Sequence, residues 1–303
     1  MRLLFILLAV VSWISSSHAA EGKPLRVITT FSILADFAKQ VGGDRVEVVS
    51  LVAPAQDAHM FEPTPDDVKR VSSANIVIIN GLGFEGWLAR LVESSGYKGT
   101  IIEASKQVAT ITSEEEHSHH EHDHSAQDPH AWQDVARARK YVKNIRDALM
   151  ARDPSHAATY YEQAKSYLEK LNALEREIRA KWEAVPLEKR KVITSHDAFG
   201  YYAHAYGVTF LAPLGLSSES EASAKDIAML IGQIRSEKVT AIFVENINNS
   251  RLMEQIRQDT GLALGGTLYS DALSDSSGPA STYIDMMRHN TDAMIRAVTL
   301  QAN

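Results

Sequence analysis

The sequence predicts an α/β protein in which two lobes, each built on a parallel sheet, flank one long helix. Three observations carry this reading. From Leu25 onward short apolar runs alternate with segments of helical period. After His130 two helical segments follow one another with no strand between them, and at Lys191 the alternation resumes. Alternation of this kind gives parallel strands with helices on both faces of the sheet.

Taken in order, "LRVITT" from Leu25 reads as a strand and "FSILADFAKQVGG" as a helix closed by Gly42 and Gly43. "VEVVSLVA" is a second strand, "TPDDVKRVSSA" a helix capped at Thr64, and "NIVIING" and "GTIIEAS" two further strands. An acidic, histidine-rich stretch over 114–127 then interrupts the series. Asp153-Pro154 starts the second of the two helical segments. Its apolar positions Tyr160, Ala164, Leu168, Leu171, Leu174, Ile178 and Trp182 recur every three or four residues until Pro186, which predicts a rod of roughly 43 Å. Such a helix is either a large surface helix or a rigid strut between lobes. "KVITSHDAFGYYAHAYG" is a strand running into a helix. "VTFLAP", "TAIFVEN" and "LGGTLYSDAL" are strands, separated by the helices "SAKDIAMLIGQIRSEKV" and "SRLMEQIRQDTG", and a helix from about Ser281 to Thr299 closes the chain.

The first nineteen residues have a basic start at Arg2, an apolar run from Leu3 to Ile14 and small residues before Ala20, the pattern of a secretory signal cleaved after Ala19. The run is too short to span a bilayer, and no later stretch is apolar for long enough. The expected division is therefore a signal over 1–19, a first lobe over 20–135, a helical linker over 136–186 and a second lobe over 187–303. The chain has no cysteine, which excludes a disulfide framework and a thiolate metal site and leads to the expectation of an exported protein that is not a lipoprotein. A net charge of −7 argues against a nucleic-acid partner and mildly favours a cation ligand.

Four places could carry chemistry. "APAQDAHMFEPTPDD" puts His59 on a loop after a strand, with no core to fill. "DPHAW" holds His130 between Pro129 and Trp132. "TSHDAF" and "YSDALSD" place His196 and Asp271 after strands of the second lobe, and the carboxyl ends of parallel strands are where open α/β sheets bind ligands. Together they supply three imidazoles and one carboxylate, two from each lobe, which completes a tetrahedral zinc shell.

"DAHMFEPTPDD", "DPHAW", "SHDAFGYYAHAYG" and "LYSDALSD", in this order and with the long helix between the second and third, resemble the metal-binding proteins of zinc and manganese ABC importers, the TroA-like or cluster A-I family. The resemblance covers essentially the whole chain after the signal. It implies two (β/α) lobes joined by one rigid helix, a metal held between them by His59, His130, His196 and Asp271, and a permease in the inner membrane as partner. Manganese-preferring members usually carry Glu at the third ligand position, where this chain has His196. Three nitrogens with one oxygen suit Zn(II) better than Mn(II), so the expected cargo is one tightly bound zinc ion. Lacking cysteine, the chain is most similar to the AztC-like zinc binders of the family, as distinct from its disulfide-bearing ZnuA type.

His117, His119, His120, His122 and His124 crowd the polar stretch, whose composition cannot bury enough apolar surface to order itself. They are expected to bind zinc weakly, as an auxiliary collecting loop. Glu62, Asp128, Asp197 and Glu245 are candidates to accept hydrogen bonds from the ligand rings. The function expected is a monomeric receptor that delivers zinc to a permease, loaded directly or by a periplasmic chaperone, with affinity falling below about pH 6.5. A manganese or iron receptor of the same fold is the alternative. An exported zinc hydrolase is disfavoured: the sequence holds no H-E-x-x-H and no G-x-S-x-G.

Overall fold

The computed structural model describes residues 23–111, 127–218, 222–239, 241–247 and 250–300. The signal at 1–19 and the histidine cluster at 117–124 lie outside them.

The first lobe runs β1 (Leu25–Thr29), α1 (Ser32–Gly42), β2 (Val46–Ser50), α2 (Pro65–Ser72), β3 (Ile76–Ile79), α3 (Leu88–Ser95) and β4 (Thr100–Glu103). Its sheet is parallel throughout, in the order β2-β1-β3-β4, with Val27 opposite both Val48 and Ile76. α1 is buried nearly all round, as its run of Ile33, Leu34, Phe37, Ala38 and Val41 requires. α2 opens on a capping box: Thr64 accepts from the Asp67 backbone N–H while the Asp67 carboxylate accepts from the Thr64 N–H, and Pro65 needs no partner at the first helical position.

α4 (Val135–Arg152) and α5 (Ala157–Glu183) follow, then the second lobe: β5 (Lys191–Ile193), α6 (Gly200–Tyr206), β6 (Thr209–Leu211), α7 (Ala224–Glu237), β7 (Ala241–Glu245), α8 (Arg251–Thr260), β8 (Ala263–Leu268) and α9 (Tyr283–Leu300). The second sheet is also parallel and repeats the first in order, β6-β5-β7-β8, with Val192 opposite both Phe210 and Ala241. The coarse likeness of the halves is thus a repeated topology.

α5 is the expected long helix, about 40 Å over its 27 residues. Its buried stripe contains Tyr167 where the sequence pointed to Leu168, which is only half-buried. The phenol reaches inward to the Asp36 carboxylate of α1. At the other end the Trp182 indole donates to the Tyr202 hydroxyl of α6 at 2.8 Å. One rod therefore grips both lobes. α4 packs on α1 as well as on α5, so part of the helical connection also serves as cover for the first lobe. One continuous apolar core contains the first sheet, α1, α4, α5 and the inner face of α9, while Ile193, Leu230, Ile234, Ile242, Met253 and Ile256 form a smaller cluster under α7 and α8. No described helix is long and apolar enough to cross a membrane.

Candidate metal centre

His59 lies on the turn between β2 and α2, and His130 opens the 3-10 turn Ala131–Gln133 that leads into α4. His196 and Asp271 each fall three residues beyond a strand of the second sheet, β5 and β8. The tertiary structure brings all four to one point, with one donor atom from each lying within 4.8 Å of the others. His59 Nε2 and His196 Nε2 stand 3.3 and 3.2 Å from Asp271 Oδ2, and His130 Nε2 stands 3.6 Å from Oδ1. The three imidazole centroids form a nearly equilateral triangle of 5.4, 5.6 and 5.9 Å. Donors bonded tetrahedrally to a zinc-sized ion at its usual bond lengths sit about 3.3 Å apart. The spacing is that of atoms sharing an ion.

Burial strengthens this geometry. His130, His196 and Asp271 have no exposure and His59 retains 7 %, which puts the mouth of the site beside His59. His59 Nε2, His130 Nε2 and both oxygens of Asp271 are buried with no hydrogen-bond partner, and His196 Nε2 faces the same carboxylate. A buried polar atom left unpaired costs roughly 1–3 kcal/mol, so several of them at one point mark a place for a ligand. Phe84 and Trp132 wall the site, with ring centroids 4.6 Å from His59 and 5.3 Å from His130.

Two of the expected supporting carboxylates are in place. Asp128 Oδ1 accepts from the His130 backbone N–H and lies 2.8 Å from its Nδ1. Glu245 Oε1 accepts from the backbone N–H groups of Ser195 and His196, and Oε2 lies 2.6 Å from His196 Nδ1. A carboxylate against Nδ1 keeps the proton there and turns the Nε2 lone pair to the centre. Glu62, three residues past His59, is exposed and lines a groove with Phe61, Trp87 and Arg90. Asp197 is mostly buried near Asp128, and burial with that neighbouring charge pushes its carboxyl up. The sequence reading did not single out Asp57, which accepts from the His59 N–H at 2.8 Å, nor Gly200, which packs against Asp128. Asp57 stands two residues before His59, the spacing at which an Asx turn forms, so its signal was present.

Burial opposes charge on His196, but the Glu245 and Asp271 carboxylates hold its imidazole well above the usual range. Burial likewise opposes the Asp271 charge, and the His130 and His196 imidazoles hold it well below. Without metal, the two carboxylates favour the charged form of the His196 imidazole.

Residues 27–297 match the family described as zinc-uptake complex component A, periplasmic, ZnuA. The chain belongs to the ZnuA family. Among its relatives, the manganese-binding lipoprotein MntA of Halalkalibacterium halodurans is 34 % identical over 92 % of this chain and 90 % of its own length. The iron-binding protein YfeA of Yersinia pestis is 32 % identical over 97 % and 94 %. The solved structure of the periplasmic zinc-binding protein TroA of Treponema pallidum superposes with a TM-score of 0.85 at 29 % identity, covering 91 % of this chain and 99 % of that one. ZnuA-family proteins are the solute-binding components of metal ABC importers, so this chain is a metal-binding receptor whose partner is an ABC permease, and it is not an enzyme. One expectation is corrected. The absence of cysteine was taken to exclude a lipoprotein, but relatives such as MntA are named as lipoproteins, so the family includes members held at the membrane by lipid. Composition reports on one route of attachment and does not decide location for a family that uses anchoring.

Proposed function

We propose that this ZnuA-family receptor captures Zn(II) through His59, His130, His196 and Asp271 and hands it to its permease. The observation that carries the reading is the convergence of three buried imidazole Nε2 atoms on one carboxylate at 3.2–3.6 Å. Three borderline nitrogen donors favour zinc over manganese, which takes a more oxygen-rich shell. With four protein donors the shell is closed, as in sites that hold an ion and do not activate water. The histidines at 117–124 act as an accessory that collects zinc weakly. Ile111 and Asp128 are joined by a backbone hydrogen bond of 3.1 Å, two residues before His130.

A manganese receptor is the second reading. It is favoured by Asp271, whose two oxygens both face imidazoles and could bind together, and by the manganese-binding name of MntA. Chelator-competition titration of the metal-free protein with Zn(II) and Mn(II) separates the two. Zinc should bind one tight site that excess manganese does not displace, and His130→Ala should abolish it. Deleting residues 116–125 should remove only weak sites. Displacement of zinc by stoichiometric manganese would establish the second reading, and loss of the tight site with the deletion would refute the four-ligand assignment.

A further inference from the structure

The lobes meet around the site through contacts that differ in burial. On the Asp271 side, the Leu273 N–H donates to Ser32 Oγ at 2.9 Å, and the Ser270 carbonyl accepts from Trp132 Nε1 and Gln133 Nε2 at 2.9 and 2.8 Å, all buried. Behind the site the Tyr201 hydroxyl donates to the Asp128 carbonyl at 2.8 Å, also buried. At the mouth, beside His59, a partly buried hydrogen bond runs from Ser218 Oγ to Asp57 Oδ2, and the exposed Ala55 donates its N–H to the Leu273 carbonyl at 3.0 Å. The other oxygen of Asp57 accepts from the His59 N–H. Ser218 stands four residues beyond Leu214, which is bridged in parallel to His196.

We propose that Asp57 is a positioning residue for metal retention, one carboxylate oxygen fixing the turn that carries His59 and the other latching the two lobes through Ser218 at the mouth of the site.

The proposal rests on the four-ligand reading above. The backbone around Asp271 is bonded to first-lobe groups through Ser270 and Leu273 and to Asn246 and Asn290 of its own lobe through Ala272 and Tyr269, so Asp271 sits where the lobes are joined. His196 is held by Glu245 of its own lobe. Opening at the mouth therefore moves the His59 turn away from the segment that carries Ser218 and His196. A partly exposed hydrogen bond exchanges for water at less cost than a buried one. The rim bonds yield before the buried ones, and the Ser218–Asp57 bond, the one made by side chains, contributes to how often the mouth opens.

The test is the rate at which a chelator captures Zn(II) from the loaded protein, measured for the wild type, Ser218→Ala, Asp57→Asn and Asp57→Ala. The Co(II) absorption spectrum serves as a readout of the ligand set and thermal melts as a check of folding. Ser218→Ala should release zinc roughly fivefold to tenfold faster, the value of one hydrogen bond, with an unchanged Co(II) spectrum. Asp57→Asn should stay near wild type, because the amide oxygen can accept from the His59 N–H while its NH2 donates to Ser218. Asp57→Ala should release faster still and shift the Co(II) spectrum as the turn relaxes. Release from Ser218→Ala at the wild-type rate overturns the latch while leaving the four ligands standing. A wild type without a tight site sinks the four-ligand reading and the proposal with it.

Discussion

Gly200, the first residue of α6, touches none of the four ligands, yet a Cβ there would come within 2.6 Å of Asp128 Oδ2 and 3.2 Å of the Ile111 side chain. Gly200→Ala should push Asp128 off His130 and weaken metal affinity roughly tenfold or more, the usual cost of disturbing a carboxylate that orients a ligand ring. A competition titration beside a thermal melt checks it: loss of affinity with the fold intact is expected, and unchanged affinity would mean that Asp128 can move freely. The His196 charge makes a second prediction at this scale. The Glu245 and Asp271 carboxylates hold its imidazole above the ordinary 6.5, which favours a proton there that the metal must displace. Affinity should therefore begin to fall as pH drops through a range above 6.5, higher than unperturbed imidazoles imply. Calorimetry at pH 7 in buffers of different ionisation enthalpy should show about one proton released per metal, and a buffer-independent enthalpy would contradict the assignment.

Glu85, between β3 and α3, shows what a buried group does to an element. Its carboxylate accepts from Thr30 Oγ1 at 2.7 Å and from the Asn80 and Gly81 N–H groups, closing the end of β3, while burial raises it to about 7. Between the ordinary carboxylate range and pH 7 the folded state keeps a proton that the unfolded chain has released, so stability falls as pH rises. The contribution lost between pH 5 and 8 is on the order of 3 kcal/mol. His196 acts in the same direction without metal, so the wild type alone does not isolate Glu85. Urea unfolding of the metal-free wild type and Glu85→Gln at both values does: the variant should lose less stability on going to pH 8. Equal losses in the two proteins would remove Glu85 as the cause. Other elements were plain in the sequence. Thr64-Pro65 fixed the start of α2, and the three- and four-residue recurrence predicted α5. The exchange of Leu168 for Tyr167 was not legible, because the Asp36 partner comes from a distant segment.

At the scale of the whole molecule, one apolar core runs from the first lobe through α5 to α9, so the lobes cannot swing freely. Small-angle scattering profiles of the metal-free and loaded proteins should nearly superpose. A large change in radius of gyration would mean that the shared core opens. Metal should still stabilise strongly, by about 4 kcal/mol at a thousandfold excess over the dissociation constant. Thermal melts should show this shift in the wild type and lose it in His130→Ala, while persistence of the shift would place the tight site elsewhere.

By itself the sequence determined the two parallel-sheet lobes, the long helix and the set of donor types after the strands, because these follow from periodicities and end signals within a few residues. It also marked Asp128 and Glu245 as possible partners of the ligand rings. Only the tertiary structure decided that His59, His130, His196 and Asp271 share one point, that Asp128 and Glu245 orient rings while Glu62 faces solvent, and that the Asp271 segment is bonded to both lobes. The physical reason is separation along the chain. Successive ligands are some seventy residues apart, and no local preference fixes the distance between them. That distance is set by the register of each sheet and by the core that locks one lobe to the other.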